Sequence, residues 1–252
     1  MSEPTRNLVI DTGNSGTKVA IFADGELLLP VLRLTTSPWA KIDEQLTNFG
    51  VRNILYSTVA NVPPRRWLEN WKANGTGVYA LDRSRPLPFA SVYETPETLG
   101  QDRIAAVAGT LGRVHTARLI VDAGSCVTLD LVDAHDRYHG GNISPGVRMR
   151  LAAMHERTAR LPLVRPGQPE GVVGRSTEQA LRHGGQLGVV YEIEGLYERL
   201  RPQHRDLAIV LTGGDAPHLL PYFSSVPVSH SPNLVLRGLH QILSTYVYEA
   251  SL

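Results

Sequence analysis

Apolar residues near the start of the chain gather in short runs bounded by glycine and aspartate. Leu8-Val9-Ile10 leads into Asp11-Thr12-Gly13-Asn14-Ser15-Gly16-Thr17-Lys18; Val19-Ala20-Ile21-Phe22 follows, then Asp24-Gly25 and Leu27-Leu28-Leu29. Runs this short, punctuated by turn residues, predict strand, glycine-rich turn, strand, Asp-Gly hairpin and strand. The order returns farther along as Leu119-Ile120-Val121, Asp122-Ala123-Gly124-Ser125-Cys126-Val127-Thr128, Leu129-Asp130-Leu131-Val132 and an extended piece to Tyr138. Asp11, Gly13 and Thr17 map onto Asp122, Gly124 and Thr128 at a constant offset of 111 residues. Three identities in a shared strand–turn–strand context mark an internal repeat.

Between the repeats, helical spacing predicts helices over Pro38–Asn48 and Pro63–Lys72, with a strand over Asn53–Thr58 between them. Short strands are expected over Gly77–Leu81 and Phe89–Tyr93, and a helix from Thr98 to Gly112 carries Asp102 and Arg103 in its first turns. In the second half Pro145–Arg160 has helical spacing, and Ser176-Thr177-Glu178-Gln179 reads as a capping box opening a long helix to Leu200. Leu207–Leu211 is expected as a buried strand running into Thr212-Gly213-Gly214-Asp215, and Leu234–Tyr248 as a closing helix. Pro162–Gly174, with three prolines and three glycines, is expected as a loop. The alternation predicts an α/β protein of two domains, residues 1–114 and 115–252, one glycine turn in each.

Composition narrows the partners. The chain has 252 residues, 42% hydrophobic and 19% charged, with 25 Lys and Arg against 24 Asp and Glu. That excludes a disordered chain, and a net charge of +1 gives no broad cationic field for nucleic acid or a membrane surface. No apolar run reaches membrane-spanning length. The lone Cys126 cannot form an intrachain disulfide and the first residues are polar, so a cytoplasmic protein is expected. Cys126 is expected to be a small buried residue, since no cationic neighbour would activate it as a nucleophile.

A turn of aspartate, glycine and small hydroxyl residues after a buried strand can offer backbone N–H groups to phosphate oxygens, because glycine permits close approach and positive φ. The aspartate can hold a hydrated metal ion nearby, and Lys18 adds a point charge suited to a phosphoryl group. One such turn alone reads first as a plain hairpin. Two at matched positions point to a nucleoside triphosphate clamped from both sides of a cleft, with Gly213 and Gly214 giving the close approach that a base or ribose needs. In Gly100-Gln101-Asp102-Arg103 a carboxylate beside a guanidinium can orient an attacking hydroxyl for phosphoryl transfer; taken alone it reads equally as a surface pair at a helix start. Gly140-Gly141-Asn142-Ile143-Ser144-Pro145-Gly146 is expected as a tight turn into a helix most of whose arginines, among Arg148, Arg150, Arg157 and Arg160, form a solvated basic face; its functional reading is a substrate wall. The chain carries no G-x-x-x-x-G-K-[ST], no G-x-G-x-x-G and no H-E-x-x-H.

Taken in order, Asp11 to Lys18, Gly100 to Arg103, Asp122 to Ser125, Gly140 to Gly146 and Thr212 to Gly214 resemble the motifs of the type III pantothenate kinases over nearly the whole chain. The resemblance implies two ribonuclease-H-like domains of the actin-like, sugar-kinase-like ATPase fold, with mixed sheets, flanking helices and an interdomain cleft. The implied activity is ATP-dependent phosphorylation of pantothenate, the first step toward coenzyme A. The implied ATP site is Asp11, Thr12, Gly13, Asn14, Ser15, Gly16, Thr17, Lys18, Ser125, Gly213 and Gly214. Asp102 corresponds to the proton acceptor; Gly100, Gln101, Asp102 and Arg103, with Tyr93 and Thr177, line the pantothenate site. Asp122 corresponds to the ligand of a monovalent cation, potassium or ammonium, and Asp11 to a magnesium contact through water. A homodimer with a shared substrate pocket is implied, which gives His155 and Arg157 a role across the interface.

Ser125-Cys126 depart from the commoner Thr-Ala of that family, although the hydroxyl survives. Asp11, Asp102 and Asp122 near about four phosphate charges would repel by several kcal/mol in a partly desolvated cleft, so cations belong to the expected working site. Two other readings stand beside this one: an actin-like kinase for another small hydroxyl compound, and a nucleotide-binding regulatory protein that has lost catalysis.

Overall fold

A computed structural model describes residues 5–13, 15–34, 38–58 and 62–250. Along the chain the strands are β1 (Arg6–Gly13), β2 (Gly16–Ala23), β3 (Glu26–Leu27), β4 (Leu32–Leu34), β5 (Asn53–Thr58) and β6 (Gly77–Ala80). They are followed by β7 (Ala90–Ser91), β8 (Arg118–Ala123), β9 (Cys126–Val132), β10 (Arg137–Pro145), β11 (Ala208–Thr212) and β12 (Val228–His230). The helices are α1 (Trp39–Phe49), α2 (Arg65–Ala73), α3 (Gln101–Ala108), α4 (Val147–Glu156), α5 (Thr177–Arg182), α6 (Gly188–Leu200), α7 (Ala216–Leu219) and α8 (Leu234–Glu249). Among the described residues no helix is long and apolar enough to cross a membrane.

Two compact units emerge, each built on one mixed sheet. The first comprises residues 1–88, 94–110 and 234–252; the second, residues 89–93 and 111–233. The division expected at residues 114 and 115 follows the turn repeat, whereas the units follow packing. The chain changes unit at Thr110 and Leu111, α8 returns to the first unit, and Phe89–Tyr93 joins the second by pairing β7 beside β10.

In the first sheet β1 pairs antiparallel with β2 and parallel with β5, giving the order β3-β2-β1-β5-β6 with β4 against β2. In the second, β8 pairs antiparallel with β9 and parallel with β11, giving β10-β9-β8-β11-β12. The repeat seen in the turns is thus a repeat of topology. Alternation along the first sheet sends Leu8, Ile10, Val19, Ile21 and Ile54 into a core with Ile42, Leu46 and Trp71 of α1 and α2. The other face is buried too and carries Phe22, whose ring stacks on His240 of α8 at 4.4 Å. In the second unit Val121, Val127, Leu129, Ile209 and Leu211 pack with Val189 and Ile193 of α6.

Burial holds the His240 imidazole below its ordinary value. A histidine depressed on folding binds a proton more readily in the unfolded chain, so its contribution is lost as pH falls through about 6.5 and below. The melting temperature should therefore drop more between pH 7.5 and pH 5.5 in the wild type than in His240→Leu. Equal drops in thermal melts would remove the role assigned to this residue.

Four local expectations are corrected. Gly140–Gly146 is not a tight turn: residues 140–145 belong to β10, with a bulge between Tyr138 and Gly140, because a Cβ at Gly141 would overlap the Leu129 carbonyl of β9. Cys126 is exposed at the start of β9, where alternation turns Val127 and Leu129 inward. Among the arginines of that segment Arg148, Arg157 and Arg160 are exposed, but Arg150 is half-buried; it donates to the Pro145 carbonyl at 2.8 Å and Ser144 Oγ at 3.1 Å, and pairs with Glu192 of α6. The helix from residue 176 to 200 is broken by a π-helical turn over His183–Leu187.

Candidate functional site

The first glycine turn is set by register. β1 and β2 place Asp11 opposite Lys18, Thr12 opposite Thr17 and Gly13 opposite Gly16, while β5 brings Ser57 beside Asp11. The buried Thr12 and Thr17 hydroxyls lie 3.3 Å apart, and Gly16 adopts φ +136°, which suits glycine. Ser15 is exposed at the tip, and Asn14 lies outside the described residues. Asp11 is held above the usual carboxylate range, first by burial; Lys18 opposes this and the charge of Asp102 reinforces it. The acid at the end of β1 and the acid at the head of α3 therefore share one electrostatic environment.

Gly100 explains how Asp102 reaches that position. A Cβ at residue 100 would overlap the Asp102 carboxylate, so the acid folds back over the helix start and its Oδ1 accepts from the Arg103 backbone N–H at 2.9 Å. The Arg103 side chain is buried. Gln101 spends its amide on the protein, bonding to Ser57, Thr58 and Leu81. The first unit thus brings together Asp11, Lys18, Asp102 and the Gly100 motif.

The second unit repeats the arrangement around Asp122, which lies between Thr128 of β9 and Thr212 of β11. Gly213 adopts φ +98°, and a Cβ there would overlap the Ala123 backbone and crowd the Asp122 carboxylate. Gly146 donates to the Ser125 carbonyl at 3.1 Å and leaves no room for a Cβ against the Gly124 and Ser125 carbonyls. Gly214 faces open space. Its neighbour Asp215, given no role by sequence reasoning, ties the loop to β8 through a 2.9 Å bond from its N–H to the Ala123 carbonyl. Burial raises the Asp215 carboxyl, and Arg148 and His218 oppose this. Its place directly after the Gly213-Gly214 pair was the available signal.

The remaining residues of the second unit fall into two groups. Tyr93 packs its ring against Tyr138 at a centroid distance of 5.8 Å, and Gly140, at φ +103°, leaves the space that this ring uses. The Tyr138 hydroxyl donates to Asp130 Oδ1 at 2.8 Å, with both residues fully buried. Thr177 is exposed at the first position of α5, behind Ser176, whose Oγ accepts from the Gln179 N–H at 3.3 Å. His155 has Nδ1 2.7 Å from the Leu161 carbonyl oxygen, and Arg157 is exposed just past α4. Among the described residues no three His, Cys, Asp or Glu side chains converge as an all-protein metal cage. The carboxylates of Asp11 and Asp122 have the oxygen-donor chemistry of hard-cation ligands.

Two sheets of one topology, each ending its first strand in an aspartate and a glycine turn, define the class: an α/β protein of the actin-like, sugar-kinase-like fold. A Sinorhizobium meliloti structure named as a 2-dehydro-3-deoxygalactonokinase superposes with a TM-score of 0.56 at 11% identity, covering 96% of this chain and 97% of that one. A Campylobacter jejuni structure named as a Baf family transcriptional activator gives 0.62 at 24% identity, covering 96% and 99%; at these identities both likenesses concern the fold. The family model for type III pantothenate kinase matches residues 7–199. A Bacteroides fragilis type III pantothenate kinase is 38% identical over 239 residues, 94% of this chain and 97% of that protein. The chain belongs to the type III pantothenate kinase family, and so to the phosphotransferases.

Proposed function

We propose that the protein transfers the terminal phosphoryl group of ATP to the terminal hydroxyl of pantothenate, with Asp102 orienting that hydroxyl and taking its proton. The observation that carries this reading, beside the family match, is that Ser57, in register with Asp11 of the glycine turn, bonds at 3.2 Å to Gln101, the residue directly before Asp102, which associates a candidate proton acceptor with that turn in one unit. In a loose transition state the carboxylate works chiefly by orientation and receives the proton late. Gly100, Asp102 and Arg103, with Tyr93 and Thr177, are assigned to pantothenate. Asp11 to Lys18, Ser125, Gly213 and Gly214 are assigned to ATP. Magnesium held through water at Asp11 and a monovalent cation at Asp122 would supply the positive charge that a triphosphate needs beside these carboxylates. The proposed assembly is a homodimer with a shared pantothenate pocket, to which His155 and Arg157 of a second copy contribute.

The test is ADP release in the presence of pantothenate. Turnover should require pantothenate, and replacing potassium by sodium at constant ionic strength should abolish most of it. Equal rates in the two salts would count against the role of Asp122. Turnover on glucose or glycerol, or on the carboxylate of acetate, with none on pantothenate would transfer the site to another acceptor.

A further inference from the structure

We propose that Gln101 is a positioning residue for phosphoryl transfer: its side-chain amide fixes the head of α3, and with it the Asp102 carboxylate, against the ends of β5 and β6. The proposal rests on the role given to Asp102 above. It differs from the substrate-lining role that the family resemblance implies for residue 101.

Gln101 Oε1 accepts from Ser57 Oγ at 3.2 Å and from the Thr58 backbone N–H at 2.9 Å, while Nε2 donates to the Leu81 carbonyl at 2.7 Å. Both acceptor positions of the amide oxygen and one of its two N–H donors are spent within the first unit. The orientation is unambiguous, because a flipped amide would set its NH2 against the Thr58 N–H and its oxygen against a carbonyl. Ser57 and Thr58 are the last two residues of β5, Leu81 directly follows β6, and Gln101 opens α3. One side chain therefore ties the head of α3 to two other chain segments at one end of the first sheet.

Two further observations give this staple its consequence. Ser57 is buried and lies in register with Asp11 of β1, so the amide links the acid of the phosphate turn to the acid of α3 through one hydroxyl residue. At the helix start Gly100 occupies the capping position and provides no capping side chain, so beside the Gln101 amide the first turn is held by the Asp102 Oδ1, which accepts from the Arg103 N–H at 2.9 Å. Helix ends fray when their first turn is not held, and a reacting group displaced by about 1 Å can lose about 100-fold in rate. A residue working this way controls turnover, whereas a residue lining the substrate pocket controls the pantothenate KM.

The test compares Gln101→Met, which keeps length and removes all three bonds, with Ser57→Ala, which removes one. Gln101→Met should lower kcat by about 10- to 100-fold with the pantothenate KM within about twofold of wild type. Ser57→Ala should lower kcat about threefold, again at unchanged KM. Built on Asp102→Asn, Gln101→Met should add less than about a twofold further loss, since both changes act on the same carboxylate. A raised KM with kcat intact, unchanged kinetics, or full multiplicative losses on the Asp102→Asn background would each overturn the proposal. Should Gln101→Met fail to fold, Ser57→Ala carries the test, and an unchanged kcat there overturns it. A wild-type protein without pantothenate-dependent turnover would defeat the functional reading itself, an outcome distinct from active wild type with active variants.

Discussion

Asp102→Asn lowers pantothenate-dependent kcat by about 100- to 10,000-fold, the span that a single positioned general base contributes. On the barrier this corresponds to about 3 to 5 kcal/mol. The substitution isolates the base because asparagine keeps the size of the side chain and an amide oxygen that can still accept the Arg103 N–H, the bond that Asp102 Oδ1 makes at 2.9 Å. The head of α3 is thereby retained, and the pantothenate KM should stay within a few-fold of wild type. Stability should not fall. Asp102 adds like-charge repulsion to the half-buried Asp11, and the neutral amide removes it, so the melting temperature should be unchanged or higher. Lower turnover with undiminished stability is the signature of a group kept for chemistry rather than for folding. Steady-state ADP release and a thermal melt on the same preparation check both halves. Robust turnover in the variant would remove the proton-accepting role.

The positions of Asp11 and Asp122 in the fold could be read from the sequence because the pattern is local: each stands near the end of a buried run and precedes a glycine turn, and the structure repeats both the turns and the strand order around them. The glycine motif at residues 140–146 was misread for a physical reason. Dense glycine signals either positive φ or a close backbone approach, and composition cannot separate the two. Here Gly140 has the positive φ, while Gly141 meets the Leu129 carbonyl within a strand. The three-residue strands β4 and β12 were missed because so short a segment leaves no period to detect. The unit to which α8 belongs, and the commitment of the Gln101 amide, were hidden more deeply. The partners of Gln101 lie 20 to 44 positions away, so only the folded chain reveals them.

Gly238→Ala tests how the helix bearing Asp102 is held, and its sign is decided by two opposing magnitudes. In an open helix interior, replacing glycine by alanine stabilises by up to about 1 kcal/mol through lost backbone freedom in the unfolded chain. At residue 238 of α8 the new Cβ would overlap the Ala105 carbonyl of α3 and lie 2.8 Å from the Gly109 backbone nitrogen. The opposing position is equally close: a Cβ at Gly109 would stand 2.6 Å from the Leu234 carbonyl. The two helices therefore meet backbone to backbone, and at residue 238 the three nearest atoms are all backbone, with no flexible side chain to yield. Forcing a methyl group into such a contact costs about 3 kcal/mol, which outweighs the gain in propensity and leaves a net loss of about 2 kcal/mol or more. Gly195 supplies the control, since it sits exposed in α6 with open space where its Cβ would be. Gly195→Ala should raise the unfolding free energy while Gly238→Ala lowers it, measured by denaturant titration on the two variants in parallel. Because α3 begins at the staple of Gln101 and carries Asp102 in its first turn, displacing it from α8 should also reduce kcat in protein that is still fully folded. Gly195→Ala should leave kcat unchanged. Matching stabilisation in both variants would mean that α3 and α8 are not in backbone contact, and the anchoring of Asp102 would then rest on the head of α3 alone.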